Sequence, residues 1–221
     1  MVEDGMSSSR RQLGRVLMLA AAVAACLWIS LPAPARGSCG DVETARPKKR
    51  VNPGGRPPLA IGDSVMLLAV PNLARIGYKV NARGCRLWFE GMDAIRHYKR
   101  AGRLPHLVVV ALGADWVITR ANVRQALHVV GPRRVLGLVV PRESGGGTSN
   151  DARVVRRAYR AHRKRIMLLD WARLSRGHPG WFQPDGLHLT YSGASAYTKL
   201  LGKALAYSAA GEFPRGDRFP A

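Results

Sequence analysis

Residues 107–112 read LVVVAL, a run that contains no polar side chain and is rich in β-branched residues. A strand with one face in water alternates apolar and polar residues, whereas a strand that is buried on both faces is apolar throughout. Strands of the second kind occur in parallel sheets, because the helices that connect parallel strands cover both faces of the sheet. This run therefore predicts an α/β fold with a parallel sheet.

Similar apolar runs lie on both sides of this stretch and alternate with helical patterns. The predicted strands span residues 59–62, 78–83, 107–112, 135–140 and 166–170, and the predicted helices span residues 65–76, 91–100, 122–130, 151–164 and 192–207. This alternation predicts a three-layer α/β/α sandwich with right-handed crossovers and a five-stranded parallel sheet. In such sheets a ligand binds beyond the carboxyl ends of the strands.

The composition is that of a folded and strongly basic protein. The 221 residues include 35 Lys and Arg against 14 Asp and Glu, a formal net charge of +21, and 47% of them are hydrophobic. The apolar fraction excludes an intrinsically disordered chain, and the length suits one domain with appendages. Three cysteines are too few for a disulfide-rich scaffold, and no CxxC pair indicates a zinc site.

The first 35 residues are predicted to be a signal peptide. Arginines precede the apolar stretch 16–31, and residues 33–35 (APA) have the small side chains that signal peptidase favours. Two alternatives stay open, a permanent N-terminal anchor and lipidation at Cys26, which ends a stretch similar to a bacterial lipobox. All three interpretations predict export to the cell envelope, the periplasm or the exterior.

The rest of the chain divides into three parts. Residues 36–57 are rich in Pro, Gly and charge and are predicted to be a linker, residues 58–207 the folded domain, and residues 208–221 a disordered tail. Because export is predicted, the positive charge favours anionic cell-wall polymers or lipid head groups as partners, and not nucleic acid. The alternative is that the scattered charges serve only solubility.

Three residues have the chemistry of a serine nucleophile and its base. Ser64 follows the predicted strand 59–62, so its hydroxyl lies at the carboxyl edge of the sheet and its N–H at the start of a helix, where negative charge is stabilised. Asp185 and His188 are three residues apart, close enough for the carboxylate to orient the imidazole toward Ser64. A serine hydroxyl needs such a base to act as a nucleophile. The alternative is that Asp185 and His188 stabilise a turn while Ser64 caps a helix.

The motif G-D-S at residues 62–64, together with D-x-x-H at residues 185–188, resembles the SGNH hydrolases, also called GDSL-type esterases. The resemblance extends over residues 59–207. Two further stretches, residues 82–86 (ARGCR) and 181–194, resemble the SGNH domains attached to membrane acyltransferases that O-acetylate cell-wall and surface glycans. The resemblance implies an SGNH, flavodoxin-like fold.

For this chain the resemblance implies a serine esterase or O-acyltransferase that works through an acyl-enzyme and needs no metal or organic cofactor. Ser64 would be the nucleophile, His188 the base and Asp185 its orienting partner. The oxyanion hole would take N–H groups from Ser64 and Gly84. The family's further donor is an Asn amide, but this sequence has Asp115 at that position.

The carboxylate at Asp115 predicts a slow enzyme at neutral pH, because an ionised carboxylate cannot donate a hydrogen bond to a developing oxyanion. The implied substrates are acyl esters, including acylated glycans of the cell envelope. The competing interpretation is a catalytically weak domain that binds anionic or glycan wall material through its basic surface.

Aromatic and cysteine residues near the same edge leave two further alternatives. Trp116, Trp171 and Trp181 would either line a substrate groove by stacking on sugar rings or pack in the core. Cys39 and Cys85 would either form a disulfide in an oxidising compartment or remain two unpaired thiols.

Overall fold

The computed structural model describes residues 39–51, 55–143 and 150–209. All of these residues lie within one compact unit of the chain, Arg36–Ala221. The predicted signal peptide and residues 210–221 of the predicted tail lie outside the described residues. None of the described helices is long and apolar enough to cross a bilayer.

The centre of the described structure is a six-stranded sheet. Its strands are β1 (Val42–Ala45), β2 (Leu59–Gly62), β3 (Lys79–Arg83), β4 (Leu107–Ala111), β5 (Val135–Val139) and β6 (Ile166–Leu169). They lie in the order β1-β3-β2-β4-β5-β6, and every neighbouring pair is parallel except the antiparallel pair of β1 and β3. The predicted α/β fold is confirmed, and all five predicted strands are present.

Helices cover both faces of the sheet. Among the described residues they are, in chain order, α1 (Val70–Ile76), α2 (Trp88–Arg100), α3 (Arg120–Val130), α4 (Asn150–Ala161), α5 (Trp171–Leu174) and α6 (Tyr191–Ala209), and short 3₁₀ helices span Ser64–Ala69 and Pro179–Trp181. One core cluster packs α1 and α6 against the sheet, and the other packs α2, α3 and α4 against the opposite face. Every residue of β4 is buried, as its apolar run predicts. Helix α6 continues two residues into the predicted tail.

The sheet has one strand more than the five that the sequence predicts. The additional strand, β1, lies within residues 36–57, which the sequence assigns to a linker. Its four residues alternate between exposed and half-buried, because β1 is an edge strand and packs only on one side. It therefore lacks the continuous apolar pattern of the central strands, and its pairing with β3 is a contact between distant segments.

Candidate active site

Ser64 lies in a tight turn at the carboxyl end of β2, here called the Ser64 turn (residues 62–65). Asp63 caps the 3₁₀ helix by accepting the N–H of Val65 on Oδ1 at 3.2 Å, and Ser64 is the first residue of that helix. Gly62 is required here, since an added Cβ would lie 2.6 Å from the Cβ of Met66. Ser64 is 5% exposed, and its N–H has no acceptor among the described residues. The turn thus presents a hydroxyl and a free N–H at the edge of the sheet.

His188 joins Ser64 to Asp185. Nε2 of His188 lies 3.0 Å from Oγ of Ser64, although the two residues are 124 positions apart, and Nδ1 lies 2.6 Å from Oδ2 of Asp185. The other oxygen of Asp185, Oδ1, accepts the N–H groups of Leu187 at 2.8 Å and of His188 at 2.9 Å. The structure therefore brings the three residues selected from the sequence into one continuous chain of hydrogen bonds.

The surroundings of Asp185 favour its ionised form. Burial by itself would raise the pKa of this carboxyl, but the hydrogen bonds from the His188 ring and from the N–H groups of Leu187 and His188 outweigh it, so the pKa is lowered. A carboxylate that accepts a hydrogen bond from Nδ1–H keeps the ring proton on Nδ1 and leaves Nε2 as the acceptor that faces Ser64.

The loop that carries Asp185 and His188, here called the base loop (residues 179–190), is held from two sides. An antiparallel bridge between Phe182 and Leu189 closes the loop on itself. Arg142, which follows β5, donates from Nε to the carbonyl of Gly186 at 3.0 Å and places its guanidinium 4.2 Å from the centre of the Phe182 ring. Arg142 has no role predicted from the sequence, and only its position after a strand at this edge signals one.

Asp63 ties the Ser64 turn to the loop after β4. Its Oδ2 accepts the N–H groups of Gly113 and Ala114, each at 3.0 Å, in addition to the Val65 bond on Oδ1. Asp63 is 3% exposed. This burial raises its pKa to about 6, although the three N–H bonds oppose the shift, and the nearby charge of Asp115 adds to it. The G-D-S motif contains this residue, but no sequence pattern indicates the distant loop that it binds.

Arg86 supports the same turn from the other side. Its Nη1 donates to the carbonyls of Gly62 at 3.0 Å and Asn81 at 2.7 Å, and its Nη2 donates to Oδ1 of Asn81 at 2.7 Å. The side chain is buried and links the last residue of β2 to β3. Arg86 therefore fixes the backbone that precedes Asp63.

The predicted oxyanion hole needs one correction. The N–H of Gly84 donates to the carbonyl of Asp41 at 2.8 Å, so this donor is occupied. The reason is the edge strand β1, which pairs with β3 and which the linker interpretation does not foresee. The N–H of Ser64 remains available. Asp115 is exposed in the loop after β4, and its direction toward the hole stays a prediction.

The three predicted substrate-groove tryptophans separate into core and surface residues. Trp171 is 1% exposed and packs against Trp181 and Tyr197, with ring centres 5.7 Å and 5.1 Å away, so it is a core residue and the groove interpretation is corrected for it. Trp181 is half-buried and also stacks against the ring of His178, with the ring centres 3.9 Å apart. Trp116 is the exposed member of the set.

Trp116 forms an exposed aromatic pair with Phe89. The two rings meet edge to face with centres 6.3 Å apart, and the residues are 40% and 50% exposed. Phe89 lies in the first turn of α2 after β3, and Trp116 follows β4, so both belong to the carboxyl edge of the sheet. Phe89 is not among the site residues predicted from the sequence, because an apolar residue at the start of a helix has no pattern of its own.

Cys39 and Cys85 form a disulfide with their Cα atoms 4.9 Å apart, which agrees with the first of the two alternatives. The bond joins the residues before β1 to the turn after β3. Cys85 has a φ of +52°, the only positive φ at a non-glycine residue in the described part of the chain. In that same part, no three His, Cys, Asp or Glu side chains are grouped so that they could hold a metal ion.

Comparisons with known proteins agree with the sequence motifs. The chain is 31% identical to O-acetyltransferase OatA of Staphylococcus aureus over 175 residues, which are 74% of this chain and 27% of that protein. The chain thus spans about a quarter of the length of this relative. No protein-family model matches the chain.

Two solved structures share the fold. The C-terminal catalytic domain of peptidoglycan O-acetyltransferase A from Streptococcus pneumoniae has a TM-score of 0.59 at 22% identity, over 70% of this chain and 94% of that one. A protein assigned to the SGNH hydrolases from Slackia heliotrinireducens has a TM-score of 0.52 at 16% identity, over 67% of this chain and 98% of that one. With the G-D-S and D-x-x-H motifs in place on this fold, the chain belongs to the SGNH hydrolase family, near the SGNH domains of the OatA-type O-acetyltransferases.

Proposed function

We propose that the chain is an exported serine enzyme that transfers acyl groups from ester substrates, including acylated glycans of the cell envelope. The observation that carries the proposal is the hydrogen-bonded chain from Ser64 through His188 to Asp185. The similarity to O-acetyltransferases, one of which is named for peptidoglycan, supports a glycan ester as the substrate class. The predicted signal peptide supports export.

In the first half-reaction Ser64 becomes acylated. Nε2 of His188 takes the hydroxyl proton while Oγ of Ser64 attacks the carbonyl carbon of the ester. The tetrahedral intermediate then breaks its bond to the leaving alcohol, which receives the proton from His188. Asp185 stays ionised throughout and stabilises the imidazolium that forms between the two proton transfers.

The second half-reaction removes the acyl group from Ser64. His188 activates either a water molecule, which gives hydrolysis, or a sugar hydroxyl, which gives transfer, and the serine leaves with the proton. The exposed pair of Phe89 and Trp116 at the same edge offers an aromatic surface on which a sugar ring can stack. This surface supports glycans as donors or acceptors.

Charge on the tetrahedral intermediate is stabilised by the N–H of Ser64. This N–H begins a helix, where unpaired backbone donors carry partial positive charge. Asp63 and Arg86 fix the turn that aims it, because each binds two separate backbone segments at the edge of the sheet. A preformed donor of this kind costs no rearrangement during the reaction.

Labelling with a fluorophosphonate tests the proposal. The folded wild-type chain is expected to react at one serine and to hydrolyse short-chain activated esters, and Ser64→Ala is expected to lose both properties. Ser195→Ala is the matched control, because Ser195 is exposed on α6 and bonds only a carbonyl of its own helix. Adding a sugar acceptor to the ester assay then separates transfer from hydrolysis. A wild-type chain that is folded but unlabelled would contradict the proposal and favour a binding domain.

A further inference from the structure

A second surface lies between α3 and α4, on the face of the sheet opposite α1 and α6. Two adjoining hollows of about 270 Å³ and about 540 Å³ share Arg124 and His162 and form one channel, here called the α3–α4 groove. The groove extends from Arg120, the first residue of α3, to Arg165, which precedes β6. It therefore runs along α3 from the carboxyl edge of the sheet toward the opposite edge.

The α3–α4 groove is positively charged without compensation. No acidic side chain in the described part of the chain lines it. Arg120, Arg124 and Arg157 are exposed, and none of them forms an ion pair with another described residue. Lys99 and Arg165, at the far end, instead donate to carbonyls at the C-terminal end of α3, where cations stabilise a helix.

Two of these arginines lower the stability of α3, the helix that carries them. Arg120 occupies the first position of α3, where the helix dipole repels a cation. Arg124 lies four residues later on the same helix face, so the two like charges are neighbours. A bound anion would remove both penalties, whereas water and salt only weaken them.

We infer that the α3–α4 groove binds a linear anionic polymer of repeated phosphate groups. The planar guanidinium of arginine suits phosphate oxygens, which it binds with two parallel hydrogen bonds. A concave channel that follows the 11 residues of α3, about 16 Å of helix, fits an extended chain better than it fits a flat surface. This inference goes beyond the proposed reaction and does not depend on Ser64.

Two other polyanionic partners suit the groove less well. A lipid surface is disfavoured because none of the large hydrophobic residues exposed in the described part of the chain lines the groove; these are Val42, Phe89, Trp116, Val117, Leu174 and Tyr191. Single-stranded nucleic acid is disfavoured because, among the described residues, no Phe, Tyr or Trp ring lines the groove to stack on bases. A polymer of repeated phosphate groups that carries neither bases nor acyl chains needs neither feature.

Binding of a fluorescent linear polyphosphate to the purified full chain tests the inference, with the dissociation constant measured at several salt concentrations. The triple variant Arg120→Gln, Arg124→Gln, Arg157→Gln is expected to bind at least about tenfold more weakly. The slope of the logarithm of its dissociation constant against the logarithm of the salt concentration should be smaller than that of wild type by about two. The matched control is Arg75→Gln, Lys199→Gln, Lys203→Gln, which removes the same charge from exposed positions on α1 and α6. We expect the control to bind within about twofold of wild type.

Three results would overturn the inference: equal weakening in both triple variants, tighter wild-type binding to phosphatidylglycerol vesicles than to polyphosphate, or tighter binding to single-stranded DNA. Thermal unfolding of both triple variants checks that they fold. Ser64→Ala is expected to bind polyphosphate as wild type does. A failure of the proposed catalysis and a failure of the groove are therefore distinguishable.

Discussion

Two carboxylates of the candidate site, Asp63 next to Ser64 and Asp185 next to the His188 ring, lie in opposite surroundings. Asp63 in the Ser64 turn is 3% exposed and accepts three backbone N–H groups from two segments of the chain. The side chain of Asp185 in the base loop is 42% exposed, and it accepts hydrogen bonds from Leu187 and His188 of its own loop. Burial raises the pKa of Asp63 to about 6, while hydrogen bonds outweigh burial at Asp185 and lower its pKa.

This difference separates two tasks that a serine hydrolase must perform. The buried carboxylate fixes geometry, because it joins the turn after β2 to the loop after β4 and remains there although its charge is disfavoured. In the proposed reaction the exposed carboxylate acts on the reacting groups, because its charge is favoured and it contacts the ring that contacts Ser64. We therefore expect substitution of Asp185 to affect mainly the rate of catalysis, and substitution of Asp63 to affect mainly stability.

Asp185→Asn is expected to have the largest effect of the substitutions that test this comparison. The amide cannot take charge and favours the wrong tautomer of His188, so kcat on an activated ester should fall by about 10⁴-fold. The exposed position predicts little change in the urea midpoint of unfolding. A fall in kcat of less than about tenfold in a folded variant would show that Asp185 does not orient the base.

Asp63 should make stability depend on pH in the opposite direction from Asp185. Because its folded pKa is raised from 3.8 to about 6, its contribution to stability is fully present below pH 3.8 and is lost as the pH rises through about 6. The loss amounts to about 3 kcal/mol. Asp185 has a lowered pKa, so its contribution is present above its ordinary pKa and is lost as the pH falls further.

The measurement is urea unfolding of wild type and Asp63→Asn at about pH 4 and about pH 7. The stability of wild type relative to the variant should fall across this range, since the variant cannot titrate at residue 63. Asp93→Asn is the control, because the side chain of Asp93 is 66% exposed on α2. If wild type and Asp63→Asn change in parallel with pH, Asp63 is not the titrating group.

A contrast between local patterns and contacts of distant segments explains how much of the fold can be predicted from the sequence. β4 is recognisable because burial on both faces leaves a local signature, the run LVVVAL. β1 is not recognisable, because an edge strand of four residues is only half-buried and owes its position to pairing with β3 and to the disulfide of Cys39 with Cys85. These are contacts between distant segments, and a local pattern does not contain them.

The candidate site also contains residues with a local pattern and residues that act through contacts between distant segments. Ser64, Asp185 and His188 are predictable because the chemistry of each residue type and the spacing of the last two are local facts of the sequence. The bonds of Asp63 to the loop after β4, and of Arg142 to the base loop, connect segments that are about 50 and about 44 positions apart. The N–H of Gly84 is likewise occupied because the chain at β1 lies beside it, and nothing in the local sequence Gly84-Cys85 indicates this contact.

Substitution of Asp115 is expected to have the smallest effect. It sharpens the comparison of Asp63 with Asp185 most, because it tests a third carboxylate near the same turn. This carboxylate lies near enough to Asp63 for its charge to raise the pKa of that residue, and it is exposed in the loop that Asp63 binds. If it faces the oxyanion, its charge opposes the negative charge that develops there. A charge pair at about 4 Å in water interacts by about 1 kcal/mol, so Asp115→Asn should speed acylation by about fivefold, and by more if the new amide reaches the oxyanion.

Burst kinetics on an activated ester measure the rate of acylation directly, in wild type, Asp115→Asn and the distant control Asp93→Asn. A gain through charge should shrink between about 0.01 M and about 1 M salt, because the Debye length falls from about 30 Å to about 3 Å. A gain through a new hydrogen bond should survive that change, because a short contact is screened much less. An unchanged burst rate in low salt would place Asp115 away from the hole. Oxyanion stabilisation would then rest on the Ser64 N–H and on backbone donors alone, and the replacement of the family's Asn would no longer predict a slow enzyme.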